Sequence, residues 1–250
     1  ALIENANGHS VSRNVKTLIS ETSHFEKEGY KHFMEKEIYQ QPKVIEDVLK
    51  IYLNPNGSIK LGNLNLDFRS VKQVTLVACG TAYYACLTAK YWFERLARIH
   101  VEVDIASEFR YREPPVGQAT LAIFVSQSGE TADTLAALRY CKGKANAIWS
   151  VTNVSESSIA READFNLSIY AGKEIGVAST KAFTGQLTVL LAIAIHAASA
   201  CETLEAKETK KLTDAMVSLP SLVSCALDQH NKIRNAANSL SQASNILFLG

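Results

Sequence analysis

The chain has 250 residues, 47% of them apolar and 20% charged, and 26 basic against 25 acidic side chains leave a net charge of +1. That length suits one large domain or two small ones with ample material for a core. The charge balance excludes a general attraction to nucleic acid or an anionic membrane, and the low glycine and proline counts (12 and 5) argue against a sandwich or propeller.

Residues 1–20 are polar and aperiodic and read as a tail. They carry no basic stretch followed by an apolar one, so they do not form a secretory signal. The first residue is not Met, and the chain reads as a piece of a longer protein. From His24 the pattern turns helical through Phe25, Phe33, Ile38 and Tyr39. Residues 1–40 are therefore taken as a tail and linker helix. Pro42 suits the first turn of a helix running to Leu53, and Asn54-Pro55-Asn56-Gly57 is a turn.

A strand–helix alternation then begins. Strands are predicted over Gln73–Ala78, Val101–Ile105, Thr120–Val125, Ala147–Val151 and Phe165–Ile169. Helices are predicted from Thr81 to Leu96 and from the end of Ser126-Gln127-Ser128-Gly129-Glu130-Thr131 to Tyr140. After a loop over Ala171–Val177, helices follow at about 179–200, 203–218 and 222–240. The most apolar stretch, Leu187–Ala200, is short of the roughly 18 residues a membrane span needs and reads as a buried helix. Asn245–Gly250 resembles a new strand reaching a glycine turn. The alternation implies an α/β fold: a doubly wound, parallel five-stranded sheet with helices on both faces. Such sheets bind ligands outside the carboxyl ends of their strands, near a switch in strand order. The loops after strands one, three and five are therefore the ones to inspect.

Ser126-Gln127-Ser128-Gly129-Glu130-Thr131 is the most informative of them. Three hydroxyls, an amide and a flexible glycine sit at a helix N-terminus, where free N–H groups and the helix dipole favour an anion. A phosphate monoester fits. There is no lysine for a nucleoside-triphosphate loop and no G-x-G-x-x-G for a dinucleotide. The competing reading is that Ser126, Ser128 and Thr131 merely cap the helix. Cys79-Gly80-Thr81 holds the equivalent place after strand one. Gly80 would allow close approach of the backbone, Thr81 could donate a hydrogen bond, and Cys79 suits lining or packing better than nucleophilic attack. The third loop, Ala171–Lys181, brings two glycines and a Ser179-Thr180 cap and is a candidate third wall. The six histidines form no metal-ligand spacing, so no metal is expected, and His196 reads as a core histidine. Glu102 and Asp104 share a strand face without a phased partner. Five cysteines, odd in number and without a Cys-x-x-Cys pair, suggest free thiols in a reducing compartment, with the cytoplasm as the expected location.

Cys79-Gly80-Thr81, Ser126 through Thr134, and Glu174 through Thr184 together resemble the sugar isomerase (SIS) domain family. Within it they are most similar to the branch that aminates and isomerises fructose 6-phosphate. Lys36–Pro42, Tyr91–Glu94 and Ile105–Arg112 fit that branch as well, and the resemblance runs from about residue 28 to Gly250. It implies a first SIS subdomain over 41–240 with flanking helices and the truncated start of a second over 241–250. It implies that the serine loop, through Ser126, Gln127, Ser128 and Thr131, holds a sugar phosphate's phosphate group. Cys79, Gly80 and Thr81 would line the sugar, and Val177 and Ser179 would close the pocket. The ligands implied are fructose 6-phosphate, glucose 6-phosphate and glucosamine 6-phosphate, with no dissociable cofactor and no nucleic-acid or membrane partner.

In the whole family enzyme a glutaminase feeds ammonia to two SIS subdomains, and the glutamate, histidine and lysine of isomerisation follow the first of these. No catalytic residue is therefore assigned in this chain, which on its own is expected to be inactive. Lys181, the one lysine near the pocket, suits helix-start packing. At position 82 many relatives have a serine; here it is Ala82, one phosphate-facing hydroxyl fewer. Apolar surface normally paired with the second subdomain suggests a homodimer or higher oligomer. Two alternatives stay open: a regulatory SIS module that senses a sugar phosphate without turnover, and a simple aldose–ketose phosphate isomerase.

Overall fold

The structure, a computed structural model, describes residues 3–12, 26–62 and 66–247. Two short helices, α1 (Phe33–Tyr39) and α2 (Gln41–Tyr52), lead into the sheet, with Pro42 in the first turn of α2. The strands are β1 (Gln73–Ala78), β2 (His100–Ile105), β3 (Thr120–Ser126), β4 (Ala147–Thr152) and β5 (Phe165–Ser168). Between them run α3 (Thr81–Trp92), α4 (Ala106–Arg112), α5 (Ala132–Cys141) and α6 (Ser158–Glu162). Three helices follow: α7 (Lys181–Ala200), α8 (Ala206–Leu227) and α9 (His230–Leu240).

All four strand pairings are parallel, and the sheet order is β2-β1-β3-β4-β5. The central strands are buried along their whole length, seven residues in β3 and six in β4, as a sheet covered on both faces requires. Side chains alternate between two cores. Val74, Leu76, Leu121, Ile123 and Val125 face one with residues of α2, α3 and α7, while Val77, Ala122 and Phe124 face the other with Phe109, Leu138 and Ile159. The chain steps outward from β1 to β2, then returns to lay β3 on the other side of β1, so the strand order reverses between β1 and β3. The loops leaving these two strands diverge there and open a crevice.

Several details depart from the sequence reading. The helix after β1 ends at Trp92 and continues to Ala97 as one π-helical turn, which keeps both Phe93 and Ala97 buried. Two short helices, α4 and α6, were not predicted. The helix after α7 does not stop near residue 218. It runs through Pro220 to Leu227, because Leu212, Met216, Leu219 and Val223 continue one apolar face at three- and four-residue spacing and hold it against the core. Glu102 and Asp104, on edge strand β2, do have a partner: Arg112 of α4 meets both, and the charges blunt the open edge. Of the terminal strand expected at Asn245–Gly250, residues 245–247 form none and 248–250 lie outside the described residues, as do His24 and Phe25. At 20 residues, α7 is long and apolar enough to cross a membrane by composition alone. In the fold, 67% of its most apolar window is buried, and it packs between α2 and α3 as the core helix of the larger layer.

Candidate functional site

The three loops singled out in the sequence meet at the carboxyl ends of the strands. They enclose a cleft of about 400 Å³ lined by Cys79, Gly80, Thr81, Ser126, Gln127, Ser128, Thr131, Val177 and Ser179, all nine of the predicted site residues. Ala82, Val125, Ala178 and Gln186 complete the lining.

The serine loop is built to hold its own shape. Ser126, buried at the end of β3, accepts the Gly129 N–H at 3.0 Å, and its hydroxyl lies 3.0 Å from that of Thr131. Gly129 has φ +67°, and a Cβ there would stand 1.9 Å from Ser157 Oγ, so only glycine fits. From behind, the Gly129 carbonyl accepts the Ile159 N–H at 3.0 Å, and the Glu130 carboxylate accepts the Ser158 N–H at 2.7 Å. That bond holds the Glu130 carboxyl below its usual range. Ser128 Oγ accepts the Glu130 N–H at 3.2 Å and remains exposed at the cleft.

None of these hydroxyls caps α5. Thr131 is its N-cap residue yet makes no side-chain cap bond, so the capping explanation is not what the structure presents. Helix α3 likewise starts at Gly80, φ +61°, without a side-chain cap. Two helix N-termini, one after each strand flanking the switch point, thus border the cleft with their first N–H groups free of side-chain caps.

The third loop is held differently. The predicted Ser-Thr cap of α7 is replaced by Glu174, whose carboxylate accepts the N–H groups of Thr180 (3.0 Å) and Ala182 (3.2 Å) and the Ser179 hydroxyl (3.2 Å). Glu37, 2% exposed on α1, accepts the Ile175 N–H at 2.5 Å and the Gly176 N–H at 3.1 Å. Asn153, after β4, ties the loops together. Its N–H donates to the Gln127 carbonyl at 3.1 Å, and its side chain bonds Ala171 and Gly172. Val177 stands fully exposed at the rim. Lys181 is buried, and its ammonium donates to Gln40 at 2.9 Å, away from the cleft lining; burial pulls its pKa below the usual lysine value. Sequence reasoning placed Lys181 in packing, and so does the structure. It missed Gln186, for which the one signal was an amide inside an otherwise apolar helix, and Glu37, which nothing in the local sequence marks.

The cleft lining contains no lysine, arginine or histidine. Among the described residues no group of three or more His, Cys, Asp or Glu is placed to hold a metal ion. What the cleft offers is hydroxyls, backbone N–H groups and two helix dipoles, a combination suited to an anionic oxygen cluster.

Such a cleft, at the switch point of a parallel sheet, defines an α/β domain with an anion-suited site. The chain belongs to the SIS domain family, whose model matches residues 67–196. Its most similar relatives include glutamine–fructose-6-phosphate aminotransferases [isomerizing]. The one from Zymomonas mobilis is 47% identical over 90% of this chain and 37% of its own length. The one from Bradyrhizobium diazoefficiens is 47% identical over 100% of this chain and 41% of its own. Among solved structures, the C-terminal domain of glucosamine-fructose-6-phosphate aminotransferase from Francisella tularensis superposes with a TM-score of 0.83 at 40% identity, over 87% of this chain and 61% of that one. The chain thus spans about two fifths of the length of these curated relatives.

Proposed function

We propose that the cleft binds a sugar phosphate, and that this chain is the fructose-6-phosphate-binding isomerase portion of a glutamine–fructose-6-phosphate aminotransferase. The observation that carries the reading is the convergence of Cys79–Thr81, Ser126–Thr131 and Val177–Ser179 on one cleft bordered by two uncapped helix N-termini. In this reading the phosphate sits in the serine loop, hydrogen-bonded by Ser126, Gln127, Ser128 and Thr131. The sugar runs along Cys79, Gly80 and Thr81, beneath Val177 and Ser179. With no cation in the lining, charge is met by dipoles and hydrogen bonds alone, each bond to a charged acceptor contributing about 1.5–3 kcal/mol.

The relatives' names support the reaction: fructose 6-phosphate and glutamine-derived ammonia give glucosamine 6-phosphate, with glucose 6-phosphate as a related ligand of the same cleft. Proton abstraction in isomerisation needs a positioned base, and amine chemistry needs an activated lysine. No lining residue has either character, so both are assigned to parts of the enzyme outside this chain, and the chain alone is expected to bind without turnover. On the same reading, residues 41–240 form a first SIS subdomain after a linker over 1–40, with 241–250 opening a second. The protein works in the cytoplasm as a homodimer or higher oligomer.

Calorimetric titration of the chain with fructose 6-phosphate, against free fructose and inorganic phosphate, tests the proposal. Binding of the sugar phosphate well above both controls is the expected result. No binding by a folded sample would sink the assignment of the cleft.

A further inference from the structure

Gln186 lies in the second turn of α7, between the buried residues Ala182 and Val189. It is 1% exposed, yet it lines the cleft. Its Oε1 is buried and accepts no hydrogen bond from any of the described residues. Among the described residues three buried side-chain polar atoms share that condition: Thr134 Oγ1, Thr180 Oγ1 and Gln186 Oε1. Of these three residues, Gln186 alone belongs to the cleft lining. An amide oxygen removed from water without a donor weakens the fold, and an apolar side chain would serve the α7 core better.

The chemistry of the orphan is specific. The hydroxyls of Ser126, Ser128 and Thr131 can donate to an anion, whereas an amide oxygen only accepts. A phosphate dianion has no proton to offer it. What answers Gln186 Oε1 is a neutral donor, the O–H of a polyhydroxylated ligand. The torsion that turns the terminal amide is broad and soft, so the amide can turn to meet such a donor without any shift of α7.

We propose that Gln186 is a specificity-determining residue whose Oε1 accepts a hydrogen bond from a sugar hydroxyl of the ligand whose phosphate the serine loop holds. The inference rests on the sugar-phosphate reading of the cleft and goes beyond it by naming the group that distinguishes a sugar phosphate from phosphate alone. It also makes the residue's effects on folding and on binding opposite in sign.

The test uses the whole chain, Gln186→Met and Ser128→Ala, each titrated with fructose 6-phosphate and with inorganic phosphate and each melted without ligand. Gln186→Met is expected to lose about tenfold in affinity for fructose 6-phosphate and none for phosphate. Its ligand-free Tm is expected to rise by about 2–4 °C, since the unanswered acceptor is gone. Ser128→Ala is expected to weaken both ligands. Wild-type affinity for fructose 6-phosphate in Gln186→Met overturns the proposal while leaving the cleft reading intact. A lower Tm with equal loss of both ligands overturns it too, by marking Gln186 as a packing residue. Failure of the wild-type chain to bind either ligand overturns the cleft reading, and the inference with it.

Discussion

Two neighbouring residues of the serine loop separate binding from architecture. Ser128 is exposed, and its hydroxyl accepts the Glu130 N–H two residues on, a local bond on which little of the fold depends. Ser128→Ala is expected to weaken fructose 6-phosphate binding by about 1–3 kcal/mol by calorimetry, with unfolding stability changed by no more than about 0.5 kcal/mol. An unchanged dissociation constant would remove the phosphate from this loop. Gly129 is the converse. Its φ of +67° and the 1.9 Å and 2.5 Å approaches to Ser157 Oγ and Cβ leave no room for a methyl group. Gly129→Ala is expected to cost about 2–5 kcal/mol, from left-handed strain plus overpacking. Chemical denaturation would show it, and a loss under about 1 kcal/mol would mean that Ser157 yields easily. Both residues were legible in the sequence, because small polar residues and a glycine between a strand and a helix have few structural explanations. Gln186 was not legible: a single amide in an apolar helix has many.

At the scale of elements, the third loop is positioned from a distance. Glu37 comes from α1, about 140 residues earlier in the chain, and answers two backbone N–H groups that the loop cannot pair itself. Gly176 is part of the same fit, since a Cβ there would stand 2.5 Å from Glu37 Oε2. Glu37→Ala leaves the Ile175 and Gly176 N–H groups without their acceptor, at about 1–3 kcal/mol each before water takes up part of the loss. Amide hydrogen exchange at those two positions is expected to rise tenfold or more, on the order of 1.4 kcal/mol of lost protection, while Gly129 stays protected. Equal exchange in variant and wild type would show that Glu174 holds the loop alone. The same distance explains what the sequence could not reveal. The five strands were predicted to within a residue or so because β1, β3 and β4 are short, mainly apolar runs, and β2 and β5 alternate apolar with polar residues. Helices α4 and α6, of seven and five residues, are too short for a 3.6-residue period to register, and α4 begins without a side-chain cap. The break expected between helices at about 203–218 and 222–240 did not form, because at Pro220 packing of one apolar face outweighed the lost backbone bond, about 3 kcal/mol.

At the scale of the whole molecule, α7 closes the larger core and carries Gln186 into the cleft. His196 sits near the far end of this helix, half-buried, its ring edge-on to Phe68 with centroids 5.7 Å apart. Burial lowers its pKa below the ordinary 6.5, so the fold favours the neutral ring. The unfolded chain then binds the proton more readily than the folded one. Stability from this group is therefore fully present above about pH 6.5 and is lost as pH falls through the lowered value. A second window opens further down. Glu162 is held at about 2 by hydrogen bonds from Arg139 and Lys142, so its contribution is present above the ordinary carboxylate value and fades as pH falls towards 2. Because that cluster faces solvent, its share is small. Thermal unfolding followed from pH 7.5 to 5.5 is expected to show a falling Tm in the wild-type chain. In His196→Leu the slope should be shallower, while both lose stability alike below about pH 4.5, where carboxylates titrate. Parallel slopes from pH 7.5 to 5.5 would assign the acid sensitivity to other groups. A shallower slope would assign it to His196 in α7, whose titration weakens the fold at a higher pH than that of the surface ion pairs.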